Sequence, residues 1–276
     1  MFRGQIFFLL IVIYRFDSLE KFYTECEIVE DTGTKGHYDE ICNEDDPGWK
    51  GLSLEEIQKA KYFYNKGLDK LESLTQEMQL GGSGKSYKWD ENDGDELNYD
   101  RFLEGLPCLK KRVKKLGNKN GKFIRLHIGI GENWMVTAED MLYKSYTAIK
   151  LADYLEQQGY RVEISTFAEV ADLGRFKGEQ LEYLITEVII KKAEDPLILP
   201  QILTCISPWM FRYHVFKFWT AKFQCRSGLG HSIAAKHKET KEDIWITSGQ
   251  CLDENSANQK IEQIIKLFDK EHGDED

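Results

Sequence analysis

KFIRLHIGIGENWMVTAEDMLYKSYTAIKLADYLEQQGYRVEISTF, from Lys122 to Phe167, contains a strand, a glycine loop, a helix and a second strand in succession. Phe123, Ile124, Leu126, Ile128 and Ile130 make an apolar strand that ends at Gly129-Ile130-Gly131. Thr137 is placed to cap a helix whose Met141, Ala148, Ile149, Ala152 and Leu155 form an apolar stripe stopping at Gly159. Tyr160–Phe167 is β-rich again. This succession predicts two parallel neighbouring strands joined through a helix, and so an α/β protein. Ligand sites in such folds sit where strands end and helices begin.

Downstream, Tyr183 to Ile190 is β-branched enough for a third strand, broken at Asp195-Pro196. Leu197 to Lys222 predicts two helices split at Ser207-Pro208, Asp243 to Thr247 a last strand, and Ser256 to Lys270 a closing amphipathic helix. Upstream, Ile6 to Tyr14 (IFFLLIVIY) is too short to span a membrane. It suits a buried strand feeding a helix capped by Asp17-Ser18, with a signal segment or a start-site artefact as alternatives. Ser53-Leu54-Glu55-Glu56 is a capping box ahead of one long helix interrupted near Gly67, and Tyr99 to Lys115 resumes a helical pattern. The expected organisation is therefore a helical segment over 1–122 with a flexible linker at 81–96, then a three-layer Rossmann-like sheet with helices on both faces over 123–276.

The chain has 276 residues, 41% of them hydrophobic, and a formal charge of −10, which disfavours wholesale binding to nucleic acid or an anionic membrane. The charge is uneven. From Gly105 to Gly131 there is no acid, while Lys110, Lys111, Arg112, Lys114 and Lys115 cluster there. Trp209 to Arg226 (WMFRYHVFKFWTAKFQCR), with Arg212, adds basic and aromatic residues of the kind that neutralise phosphates and stack bases. The bland readings are a solvated lysine face and a set of core aromatics. The six cysteines form no C-x-x-C pair and read as reduced thiols in a cytosol.

The motifs for chemistry are incomplete. Gly81-Gly82-Ser83-Gly84-Lys85-Ser86 ends like a phosphate loop, yet Gln79 stands where the first glycine belongs and no buried strand precedes it. At the first strand end a dinucleotide fingerprint needs glycine at Trp134, and an oxygen cage for Mg²⁺ needs ligands where His127, Gly129 and Gly131 stand. No metal, cofactor or catalytic residue is assigned. Gly129, Gly131, Glu132, Asn133, Trp134 and Met135 remain as a candidate binding loop, and Glu132 is the one candidate centre for an unrecognised enzyme site.

Several short pieces occur in a telling order: Tyr14-Arg15-Phe16-Asp17-Ser18, Trp49-x-Gly51, Phe102-x-x-Gly105-x-Pro107-Cys108, Gly159-Tyr160-Arg161-Val162, Asp195-Pro196-Leu197 and Ser207-Pro208-Trp209-x-x-Arg212. From about Tyr14 to Gly230 the chain resembles an uncharacterised family of bacteriophage and prophage proteins with a degenerate von Willebrand factor A-like core. The resemblance implies a phage origin and a cytoplasmic role in the infected host, without an established activity. The expectation is a non-enzymatic module that binds a phage or host protein through the strand-end loop. The alternatives are a nucleic-acid-associated protein using 110–125 and 209–226, and an enzyme near Glu132.

Overall fold

The computed structural model describes residues 10–32, 43–77, 87–90, 96–97, 106, 108–112, 122–176, 179–225, 231–232, 237, 240 and 242–273. The main sheet is mixed. It is built from β1 (Leu10–Phe16), β5 (Phe123–Gly129), β6 (Arg161–Phe176), β7 (Glu179–Lys191) and β10 (Asp243–Ile246), in the order β1-β7-β6-β5-β10. β5 has parallel neighbours on both sides, β6 with Leu126 opposite Ile164 and β10 with Leu126 opposite Ile244. β6 and β7 form a long antiparallel hairpin, and β1 runs parallel to β7. The two-residue strands β8 (Gln224–Cys225) and β9 (His231–Ser232) pair with the far half of β6.

The helices are α1 (Leu19–Thr32), α2 (Pro47–Lys50), α3 (Leu54–Lys59), α4 (Gly67–Glu77), α5 (Ala138–Gln157), α6 (Leu199–Cys205), α7 (Phe216–Lys222) and α8 (Glu254–Gly273), with a π-helical turn at Met210–Val215. The central helix α5 starts where the sequence says it must. The Thr137 hydroxyl accepts from the Asp140 N–H at 3.2 Å while the Asp140 carboxylate accepts from the Thr137 N–H at 2.7 Å, so two orphan donors are satisfied. It stops because Gly159 adopts φ 87°: its N–H reaches Glu156 O at 3.0 Å and the Tyr160 N–H returns to Leu155 O at 3.1 Å.

All five long strands present even-numbered residues to the helices: Val12 and Tyr14, Leu126 and Ile128, Val162 and Ile164, Leu184 and Val188, Ile244 and Ile246. These join one apolar cluster with Phe22 of α1, Leu151 and Leu155 of α5, Trp219 of α7 and Ile261 of α8. Most odd-numbered residues of these strands face the other way and stay outside it, while Lys191 at the end of β7 turns to Glu156 of α5. The α/β class holds, with a mixed sheet and helices packed on its even-numbered face; the expected helices on both faces are not seen among the described residues.

The region before residue 123 also differs from expectation. β1 and α1 belong to the main sheet and its core, so a division at 122/123 does not run through the fold. β1 is an edge strand with Ile11 and Ile13 exposed, rather than a buried one. The capping box at Ser53 is present, but α3 ends at Lys59 and α4 begins only at Gly67. Within the linker and the second helical stretch lie β2 (Tyr87–Asp90), β3 (Glu96–Leu97) and β4 (Leu109–Arg112), an antiparallel three-stranded sheet ordered β2-β4-β3. The phosphate-loop-like residues 81–86 lie outside the described residues. No described helix is long and apolar enough to cross a membrane.

Candidate functional site

The loops after β5 and β10 meet at the carboxyl ends of two parallel strands, the position where open α/β sheets place their ligands. Here the crevice is filled from within. Gly129 lets the strands close up: a Cβ on it would lie 3.2 Å from Ile246 O, Phe167 Cζ and Ser248 N. Glu132, buried, pairs with the fully buried Lys144 of α5. The Lys144 ammonium also donates to Gly129 O at 2.8 Å and Thr247 O at 3.1 Å. The Glu132 carboxylate accepts in addition from the Gly249 N–H at 2.9 Å and the Ser248 hydroxyl at 3.1 Å. Burial pulls the Lys144 pKa below the ordinary lysine value, and the Glu132 charge opposes that fall. Every Glu132 oxygen is thus engaged with protein, and the carboxylate clamps the loops after β5 and β10 together.

The remainder of the loop is held from beneath. Arg212, in the π-helical turn, is buried and donates to Asn133 O and Val136 O, each at 2.8 Å, and to Trp49 O at 2.5 Å. Its pKa is drawn down to about 10, mainly by burial, with Glu132 acting in the opposite sense. The Asn133 side chain accepts from the Met135 N–H at 3.1 Å, and the Val136 N–H closes on Asn133 O at 3.0 Å. Between these anchors Trp134 and Met135 are 70% and 66% exposed. Gly129, Gly131 and Glu132 therefore form the buried root of the candidate loop, and Asn133, Trp134 and Met135 its exposed tip.

The nucleic-acid alternative loses its second element. Trp209, Phe211, Tyr213, Phe216, Phe218, Trp219 and Phe223 are buried, so these rings are core and cannot stack bases. Arg212 points inward to three carbonyls and is unavailable to a phosphate. Lys110, Lys111 and Arg112 lie on β4, opposite Trp89, Lys88 and Tyr87 of β2, while Lys114 and Lys115 fall outside the described residues.

A polar network on the helix-free face of the sheet went unrecognised in the sequence. The His127 Nδ1 lies 2.9 Å from Ser165 Oγ and 3.0 Å from Glu187 Oε1, and its Nε2 lies 3.2 Å from Asp243 Oδ1. Arg125 forks onto Asp243 at 2.7 and 3.1 Å, and Arg15 reaches both Glu163 and Glu187 at 3.5 Å. Trp245 stacks on His127 at 3.9 Å and on His237 at 3.8 Å, and His237 pairs with the buried Glu169, which also accepts from Tyr183. Polar residues at alternate positions, Arg125 and His127 on β5, Glu163 and Ser165 on β6, were the available signal. The serine, histidine and aspartate do not form an acyl-transfer triad. Ser165 gives its proton to Glu187 at 2.7 Å, and it sits within strand pairing where backbone amides are committed to the ladder, leaving no oxyanion donors. Among the described residues no group of three or more His, Cys, Asp or Glu is arranged to hold a metal ion.

No curated protein and no solved structure matches the chain. A family model described as a domain of unknown function (DUF7192) matches residues 10–272, nearly the entire length, and the chain belongs to that family.

Proposed function

We propose that this chain is a non-enzymatic protein-binding module whose contact surface is the strand-end loop Asn133–Val136. One observation carries the reading: two large apolar side chains, Trp134 and Met135, stand exposed on a loop whose backbone is fixed by Arg212 and whose root is fixed by the Glu132–Lys144 pair. A pre-ordered loop loses little conformational entropy on binding, and tryptophan is the residue type most enriched among interface hot spots. The order of the short motifs along the chain supports a phage or prophage origin with a von Willebrand A-like core, and with it a role inside the infected host cell.

The test compares affinity capture from infected cells by the wild-type chain and by the Trp134→Ala/Met135→Ala variant, with melting temperature as the control for folding. Partners retained by the wild type and lost by an equally stable variant support the reading. Identical partners for both chains would overturn it.

A further inference from the structure

The edge strand β1 carries a second interaction surface, independent of the strand-end loop. Among the described residues no strand pairs with its outer edge. Natural edge strands are usually blunted by lysine, proline, a bulge or a covering element, because a bare row of backbone donors and acceptors templates further pairing. β1 (LIVIYRF) has no lysine or proline, and its one register irregularity, between Leu10 and Ile11, lies in its pairing with β7. Its one charge, Arg15, is turned along the sheet towards Glu163 and Glu187 instead of guarding the edge. On the helix-free face Ile11 and Ile13 are 58% and 63% exposed, while Val12, Tyr14 and Phe16 on the opposite face pack on the core.

We propose that this edge pairs antiparallel with β1 of a second copy of the chain, around a two-fold axis at Val12. That register sets Ile11 opposite Ile13 of the second copy and Ile13 opposite its Ile11, so four exposed isoleucines close into one patch on the same face. The strand is self-complementary in this register, so one sequence supplies both halves of the patch. Charge permits the approach: in a chain of net charge −10, the first sixteen residues contain no acid, and Arg15 is already compensated within its own sheet. A contact in which Leu10–Tyr14 of each copy pair lies at the small end of specific interfaces, which places the dimer in the micromolar range. The rival occupant of the edge is the chain's own residues 1–9.

The experiment is sedimentation of the full chain across a concentration series spanning roughly micromolar to sub-millimolar, together with Ile11→Lys/Ile13→Lys and a chain lacking residues 1–9. The expected results are a concentration-dependent species of twice 32.2 kDa, dissociation at least tenfold easier in the double-lysine variant, and an unchanged melting temperature because both positions are exposed. Mixing Ile11→Cys with Ile13→Cys chains should give a disulfide-linked dimer that neither variant gives alone above the wild-type background. A monomer at every concentration would overturn the proposal. So would a dimer indifferent to the lysines, or a monomer that dimerises only after residues 1–9 are removed, which would assign the edge to the chain's own N-terminal segment.

Discussion

Lys144 and Glu132, twelve residues apart, pair inside the protein at the junction of the loops after β5 and β10, with the ammonium also held by Gly129 O and Thr247 O. The pair occupies the crevice where an α/β sheet would otherwise receive a ligand, and it ties the first strand of the central unit to the last strand of the sheet. Removing one partner leaves an uncompensated buried charge. Lys144→Met or Glu132→Leu should each lower stability by about 3–5 kcal/mol in urea unfolding, whereas Lys144→Met/Glu132→Leu should cost less than the sum of the two. Additive losses would show that the two groups act separately.

Arg212 satisfies three backbone carbonyls from one guanidinium. Arg212→Lys keeps the charge but loses the planar fork, so it should still destabilise, by about 2 kcal/mol, and should open the bond after Trp134 or Met135 to limited proteolysis. Proteolysis at the wild-type rate would mean the loop is held by something other than this side chain.

His214 is buried in the π-helical turn, its ring against Tyr23, with Lys61 and Lys217 the nearest charges; burial above all drives its pKa down to about 3. The unfolded chain takes up this proton near pH 6.5 and the native state only near pH 3. Its contribution is therefore intact above pH 6.5 and is lost as pH falls through that window, with a slope approaching about 1.4 kcal/mol per pH unit. His214→Phe should flatten the acid limb of a stability–pH profile, and an unaltered limb would exclude this histidine as its source.

His127 faces Glu187 on one ring nitrogen and Asp243 on the other. His127→Phe would keep the stack on Trp245 but remove the ring nitrogens that face the two carboxylates, at an expected cost of about 2–3 kcal/mol. Glu187 feels the change directly, because His127, Ser165 and Arg15 together hold its carboxyl below the usual range against the opposing effect of burial. Its stabilising effect is present above the unfolded carboxylate pKa and disappears as pH falls through the lower native value. The His127→Phe protein should lose less stability than wild type over that acid range.

Gly129→Ala tests the close approach of the two strand ends. A Cβ there is tight against the backbone of Ile246 and Ser248, which cannot yield as a side chain would, so a loss of about 1–3 kcal/mol is expected. A neutral result would show that the β10 loop shifts freely.

The central unit was legible because its signals are local. The alternation in Phe123–Gly129, the Thr137 cap and the Gly159 stop each depend on backbone hydrogen bonds within a few residues, so the residues that specify the element are the ones that form it. The stretch at Tyr99–Lys115 misled for the converse reason. Leu109–Arg112 is a strand because β2 and β3 lie on either side of it, and periodicity within the segment carries no record of those partners.

Sequence alone determined that the chain is α/β, that β5 and β6 are parallel around α5, and that the loop between Gly129 and Thr137 sits at a strand end. Tertiary structure decided which side chains that loop keeps and which it shows. Glu132 became a clamp because Lys144 and the β10 loop converge on it, and Arg212 turned inward because three backbone carbonyls meet at its guanidinium. Packing likewise sent the aromatics of 209–223 into the core and set His127 between two carboxylates from strands sixty and more residues away. Burial and pairing are properties of the space between elements, and a charged or aromatic side chain has the same letter in the sequence whether that space holds water or protein.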